Sequence, residues 1–288
     1  MKKTIAIIVL GMLLFSACSI FEPKLEEHVE MILVEGGTFS MGDVWGDGHS
    51  NELPLHDVTL SSFYIGKYEV TQALYEEIMG NNPSYFIGDS LPVEGVSWYD
   101  AIAFCNALSD TTGLEAVYTI DSLSVMADFS KNGYRLATEA EWEYVARSGG
   151  RDDRKYSGTN TESEVGNYAW YYDNSYSLGS DHPNYGTNEV GTKLANDLGI
   201  YDMSGNVWEW CWDWYWVYSS PSQTNPRGPT IPVDSAQGGP FNILRGGSWC
   251  FGNSSWNDDS RCRTALRGVY EPLITSFALG FRLARNGD

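Results

Sequence analysis

Short apolar runs and strict alternations open the folded part of the chain, and amphipathic stretches follow them. Met31-Ile32-Leu33-Val34 is an apolar run of strand length. Gly36-Gly37-Thr38-Phe39-Ser40-Met41-Gly42 reads as a turn and a second strand, and His56-Asp57-Val58-Thr59-Leu60 alternates like a half-buried one. Phe63-Tyr64-Ile65-Gly66-Lys67-Tyr68 continues the sheet. Residues 70–79 have helical spacing, with Thr71 as N-cap and Asn81-Asn82-Pro83 as the stop. Ser97 with Asp100 predicts a capped helix whose apolar face covers 101–109, and Thr138-Glu139-Ala140-Glu141 is a capping box that launches 142–147. In such a box the hydroxyl accepts from the third amide while the acid reaches back to the cap amide.

From Ser148 to about residue 200 the periodicity fades into Gly, Asn, Asp, Ser and Tyr. Loops of that length belong to functional surfaces more often than to plain connections. No repeat, heptad or low-complexity linker divides the chain, so 31–288 is expected to be one α+β domain with few helices. Gly205-Asn206-Val207-Trp208-Glu209-Trp210, Arg245-Gly246-Gly247-Ser248-Trp249 and Gly280-Phe281-Arg282-Leu283 are poor material for a helix or a plain sheet. They suit an irregular core in which glycines let backbone approach aromatic plates.

Aromatic residues make up 14% of the 288, with 11 Trp and 18 Tyr. That is enough to fill an irregular core and to leave some for a binding surface, where such rings give contact area at low entropy cost. The net charge of −20 argues against nucleic acid and acidic lipid as charge-driven partners. His28, His49, His56 and His182 show no zinc-ligand spacing, and no Gly-x-Ser-x-Gly or His-Glu-x-x-His motif is present.

At the N-terminus, Met1-Lys2-Lys3 is a basic start and 4–15 an apolar core too short to span a membrane comfortably. Ser16-Ala17-Cys18 then resembles a bacterial lipoprotein signal, so 1–18 is expected to end at a lipidated Cys18. Residues 19–30, with Pro23 and four glutamates, form a tether. The expected place is the bacterial cell envelope, lipid-anchored at the outer membrane or cell surface. Cys105, Cys211, Cys250 and Cys262 remain, and in an oxidising compartment they allow three full pairings. Cys211 with Cys262 is the preferred single bridge, and Cys105 is expected buried on its helix.

Seven blocks in order carry a family resemblance: 36–42, Glu69-Val70-Thr71, 92–98, Tyr134 to Glu143 (134–143), 205–210, 245–249 and Gly280-Phe281-Arg282. The chain resembles the formylglycine-generating enzyme (sulfatase-modifying factor) family. The implied fold is C-type-lectin-like: few helices, small twisted sheets, many long loops. The resemblance also implies a structural Ca2+ held by the side chains of Asp202 and Glu209 and the carbonyls of Gly205 and Val207. A second, weaker set would use Asn167, Tyr168 and Asp173. Oxygen-rich donors of this kind suit calcium.

The family's enzymes oxidise a sulfatase cysteine with oxygen and copper, using an active-site cysteine pair; soft thiolates suit Cu(I). The first of that pair is expected two positions past the aromatic of Gly-Gly-Ser-aromatic, where this chain has Phe251. Cys250 stands one position early, and no single register puts both Cys250 and Cys262 into the pair. Copper, with Cys250 and Cys262 as catalytic residues, therefore belongs only to an enzymatic alternative. Without that pair the expectation is a surface lipoprotein that binds a protein or glycan through 250–278. The residues expected to meet the ligand are Trp249, Cys250, Phe251, Asn253, Ser255, Trp256, Asn257, Asp258, Arg263, Arg267 and Tyr270. The mixture of rigid rings, small polar groups and arginine has the chemistry of a paratope. The arrangement also resembles the variable proteins of diversity-generating retroelements, whose variable residues lie in this segment.

Overall fold

Ser97, Thr71 and Thr138 do at the helix starts what their sequence contexts predict. Thr71 Oγ1 accepts from Leu74 N, and both Ser97–Asp100 and Thr138–Glu141 close reciprocal capping boxes. The first helix ends at Met79 as expected, capped by Gly80, which takes the left-handed conformation at φ 75°. The computed structural model describes residues 29–150, 154–231, 240–250 and 262–287. The signal segment with Cys18, most of the tether, and Phe251, Asn253, Ser255, Trp256, Asn257 and Asp258 lie outside the described residues.

In chain order the elements are β1 (Met31–Val34), β2 (Gly37–Met41), β3 (His56–Leu60), β4 (Phe63–Gly66), α1 (Gln72–Met79) and α2 (Trp98–Thr112). Next come β5 (Tyr118–Asp121), β6 (Ser124–Ala127), β7 (Arg135–Leu136), α3 (Glu139–Ala146), α4 (Val165–Tyr168), β8 (Trp208–Trp214) and β9 (Gln223–Thr224). β10 (Asn242–Arg245), β11 (Gly268–Tyr270), β12 (Leu279–Gly280) and β13 (Leu283–Asn286) complete the fold. Among the described residues the strands form two four-stranded sheets, β1-β4-β13-β7 and β11-β10-β8-β12, a three-stranded sheet β2-β3-β9 and the hairpin β5-β6. β13 lies between β4 and β7, so the chain's end is sewn into the sheet that its beginning started. This is the expected α+β class of few helices and small sheets with long loops.

The tryptophan box departs from its expected irregularity. After Gly205 (φ 86°) and Asn206 (φ 56°), Trp208–Trp214 runs as a strand inside a sheet, between β10 and β12. Alternation explains it. Trp208, Trp210 and Trp212 enter one hydrophobic core with Trp98, Phe104 and Phe281, while Cys211 enters a second core with Trp142 and Ile243. A strand buried on both faces hides its period of two from a polarity count.

Arginines and glutamates pair inside the protein, some within one stretch of chain and others between distant ones. Arg135 meets Glu141, Arg282 meets Glu209, Arg263 meets Glu52, and Arg245 bonds Glu143, which also holds Arg147. These carboxylates and guanidiniums are buried. Burial of a charge is tolerated where partners and hydrogen bonds replace water. The long-range pairs, Arg282–Glu209, Arg263–Glu52 and Arg245–Glu143, thus fix which parts of the chain meet.

Candidate functional site

A cluster of aromatic rings gathers around Trp249, at the point where the chain enters 250–261. Trp249 itself is 1% exposed. Its backbone N–H donates to the Asn206 carbonyl (2.8 Å) and its indole N–H to the Phe277 carbonyl (3.2 Å). Ring centroids of Tyr185, Phe86, Tyr176 and Phe277 stand 5.1, 5.2, 5.7 and 5.7 Å from it. Offset and edge-on contacts at these distances are favourable beyond area burial. Trp249 is therefore the hub beneath the surface, and the rings that reach solvent are Tyr85, Phe277 and Tyr176, exposed by 76%, 47% and 39%.

Buried polar groups hold this display. Glu94 Oε1 accepts from the backbone N–H of Tyr85 (2.6 Å) and Phe86 (2.8 Å), which pins the loop that presents both rings. Burial nevertheless pushes the Glu94 carboxyl above its ordinary range. Asn206 Nδ2 donates to Glu69 Oε2 (2.7 Å) while its carbonyl receives Trp249, so the tryptophan box positions the hub. Gly186, at φ 113°, lies against Phe86, and a Cβ there would fall 2.5 Å from the ring.

Cys250 sits half-buried at the edge of the cluster, with its sulfur 3.7 Å from Ser248 Oγ. Burial pushes its thiol up to about 11, which suppresses the thiolate that a nucleophile or copper ligand needs. Cys262 lies buried in a separate small core with Tyr156, Val165 and Ala169. Cys211 belongs to the second large core, and Cys105 to the first. The expected Cys211–Cys262 bridge is therefore corrected: the two cysteines occupy different clusters and no disulfide joins them. Burial raises the thiols of Cys105 and Cys211 as well.

Arg263 and Arg267 need a second correction, because neither guanidinium is available to a ligand. Arg263 makes two 2.7 Å bonds to Glu52, and Arg267 Nε and Nη2 bond Glu139 at 2.6 and 2.9 Å. Arg267 also donates to the carbonyls of Asn51 and Trp216 and lies 3.9 Å over the Tyr218 ring. Tyr270 is 40% exposed, on β11 opposite Asn242, and makes no ring contact with the Trp249 cluster. The structure thus brings Trp249 and Cys250 together, adds Tyr85, Phe86, Tyr176, Tyr185 and Phe277, and sends Arg263 and Arg267 to the framework.

The calcium set fits only in part. Glu209 Oε1 and Oε2 each accept from Arg282 at 2.7 Å, and Oε2 also accepts from Trp142 Nε1 at 2.8 Å. Asp202, in the left-handed conformation at φ 57°, keeps a buried Oδ1 without a partner while Oδ2 accepts from Gly191 N at 2.7 Å. Among the described residues no group of three His, Cys, Asp or Glu side chains could hold a metal. Glu209 is thus held as the ion-pair partner of Arg282, and Asp202 Oδ1 is the unpartnered oxygen of the set. In the weaker set, Asn167 and Asp173 are exposed and the Asn167 carbonyl is taken by Leu194 N.

Comparison with known proteins agrees with this geometry. The model of the sulfatase-modifying factor enzyme 1-like domain matches residues 19–287. A chaperone protein LppX from Paenibacillus barcinonensis is 39% identical over 250 residues, covering 76% of this chain and 78% of that protein. A formylglycine-generating enzyme from Streptomyces coelicolor is 29% identical over 291 residues, covering 89% of each. Among solved structures, Treponema denticola variable protein 1 superimposes with a TM-score of 0.75 at 37% identity, covering 89% of this chain and 95% of that one. With the blocks in order, the sheets assembled as expected and a match over nearly its whole length, this chain belongs to the sulfatase-modifying factor enzyme 1-like domain family.

Proposed function

We propose that the protein is a lipid-anchored component of the bacterial envelope whose domain binds a protein or glycan through the surface around Trp249 and the segment 250–278, without redox chemistry. One observation carries this: rings of Tyr85, Tyr176 and Phe277 stand open to solvent on a rigid aromatic base, beside the segment expected to meet a ligand. Rigid, exposed rings lose little entropy on binding. The likeness to a variable protein supports a diversified 250–278, and the relative named a chaperone supports a protein as the ligand class. Anchoring rests on the sequence before Cys18; no helix among the described residues is long and apolar enough to cross a membrane.

The test is binding of the purified full-length chain to arrays of surface proteins and glycans, followed by Tyr85→Ala and Phe277→Ala. A ligand lost in both variants, at unchanged melting temperature, supports the proposal. The competing oxidase reading draws on the formylglycine-generating relatives and on Cys250 at the cluster's edge. Conversion of a Cys-x-Pro-x-Arg peptide by the copper-loaded protein, abolished in Cys250→Ser, would replace the binding role with catalysis.

A further inference from the structure

A small cavity, of about 200 Å3, lies between the β3–β4 turn, the start of α3 and residues 225–227. It shares no lining residue with the Trp249 cluster. Its charged walls are Arg135, Glu141 and Arg227, which leave one unmatched positive charge in a chain of net charge −20. Sites for drug-sized molecules run to roughly 300–1,000 Å3, so this one has room for a single side chain or its equivalent.

Most of the polar walls are committed to one another. Arg135 gives Nη1 and Nη2 to the Glu141 carboxylate at 2.6 and 2.8 Å, Nε and Nη2 to Asn286 Oδ1, and Nη1 to the Leu136 carbonyl. Glu141 Oε2 also accepts from the Thr138 amide at 2.9 Å. Asn225 Oδ1 accepts from Ser61 N at 2.8 Å, and its Nδ2 donates to Ser61 Oγ at 3.1 Å. Arg227 is the exception. Its guanidinium lies 4.0 Å over the Phe129 ring, against which Arg135 also rests at 5.3 Å, and it bonds no carboxylate or carbonyl among the described residues. Seven other arginines each hold a carboxylate, in a chain with 38 acidic residues against 18 basic ones. Arg285 has none either, but it lies over Tyr64 and Tyr134 and does not border the cavity.

The groups left over select the occupant. The Glu141 oxygens and Asn286 Oδ1 are already accepting, whereas the Arg227 N–H groups have no acceptor, so an occupant has to bring one. A carboxylate matches the planar fork of a guanidinium with two parallel bonds. A dianion such as phosphate matches less well: there is one unmatched positive charge, and Glu35, which accepts from Ser62 Oγ, stands beside Glu141 on the same rim. Leu60, Phe63, Phe129 and Pro226 supply apolar wall for a short aliphatic stem. The acidity of the rest of the chain acts weakly at the site, because salt screens exposed charges beyond about 8 Å at physiological ionic strength.

We propose that this cavity takes a carboxylate on a short aliphatic stem, as a peptide carries on glutamate, on aspartate or at its C-terminus, with the carboxylate oxygens on the Arg227 guanidinium. The site is independent of the Trp249 surface, so the two can fail separately. Arg227 is exposed and bonds nothing in the framework, so replacing it tests recognition without removing a structural contact other than the Phe129 ring.

The test titrates the full-length protein, by saturation-transfer NMR, with the α-amide of N-acetylglutamate, which carries only a side-chain carboxylate, and with N-acetyl-dialanine, which carries only a terminal one. The α-amide of N-acetylglutamine is the neutral counterpart and inorganic phosphate the dianion. The expected result is saturable, millimolar binding of at least one carboxylate probe, roughly tenfold or more weaker for the neutral amide and for phosphate. Which of the two saturates tells a side chain from a chain end. Arg227→Gln should weaken binding by a similar factor, and Arg227→Lys should recover only part of it, because an ammonium lacks the fork. Lys131→Gln, which removes a positive charge two residues from Phe129, should leave it unchanged. No saturable binding of either carboxylate probe, equal binding of the neutral amide or of phosphate, binding that survives Arg227→Gln, or an equal loss in Lys131→Gln overturns the proposal.

Discussion

Arg282 engages both carboxylate oxygens of Glu209 at 2.7 Å, and both side chains are buried. The same guanidinium donates to the carbonyls of Gly66 and Tyr201 at 3.0 Å, so one residue ties the tryptophan box to β4 and to the loop before Asp202. Two sequence blocks more than seventy residues apart are therefore one structural unit.

Removing one partner of a buried, hydrogen-bonded pair strands the other charge, at a cost of about 3–5 kcal/mol. Arg282→Met should destabilise the protein by that order, and Glu209→Gln by less, since its amide oxygen still accepts. Urea denaturation measures both. Equal, sub-kcal losses would mean that the pair is not formed in solution.

Calcium chelation probes Asp202 rather than Glu209, because Arg282 and Trp142 hold the Glu209 carboxylate while Asp202 Oδ1 is buried without a partner. A ligand bound only by the folded state raises stability by mass action. EGTA is expected to lower the melting temperature, reversed by calcium; no shift would mean that Asp202 Oδ1 takes up no ion.

Gly205 is predicted to tolerate no side chain. Its φ is 86°, and a Cβ would fall 2.1 Å from the Trp170 carbonyl oxygen, a backbone atom that cannot swing away. Gly205→Ala should cost at least on the order of 1–3 kcal/mol from conformation alone, with the clash added to it. Thermal unfolding checks it, with Gly80→Ala as a comparison: that glycine also has positive φ but faces open space.

These sites were unequally legible in the sequence. The helix caps could be read because Ser97–Asp100 and Thr138–Glu141 act over three residues. β8 was hidden because both of its faces are buried, so its alternation is tryptophan against Glu209, Cys211 and Asp213 rather than apolar against exposed. Arg263 and Arg267 read as ligand contacts because their partners, Glu52 and Glu139, lie 211 and 128 residues away. The rings of Tyr85, Tyr176 and Phe277 come from three distant loops, and nothing local marks them as neighbours of Trp249. Gly186, tight against Phe86, is intelligible only once the ring is placed.

Tyr85→Ala should separate binding from folding. The ring is 76% exposed and touches Phe86 and Phe277 at its edge, so its loss removes little buried area. A stability change within about 0.5 kcal/mol is expected for such a surface position. A loss of ligand affinity of roughly tenfold or more is expected if it is an anchor. Glu94→Ala should instead lower both, because it frees the amides of Tyr85 and Phe86.

Asp213 gives the protein a pH dependence of definite sign. Burial and Glu139, with a smaller push from Glu141 and a pull back from Arg267, raise its carboxyl from the ordinary value near 3.8 to about 8. The folded state therefore holds a proton that the unfolded chain releases. The associated stability is fully present below the unfolded pKa and is lost as pH rises towards the folded value. Between about pH 4 and pH 8 the wild type should lose on the order of a few kcal/mol relative to Asp213→Asn, which stays neutral throughout, and the difference should level off above that. Denaturation of both proteins at five pH values between 5 and 9 measures it. Parallel curves would show that Arg147, Arg245 and Arg267 keep Asp213 ionised, leaving the carboxylate as an acceptor only.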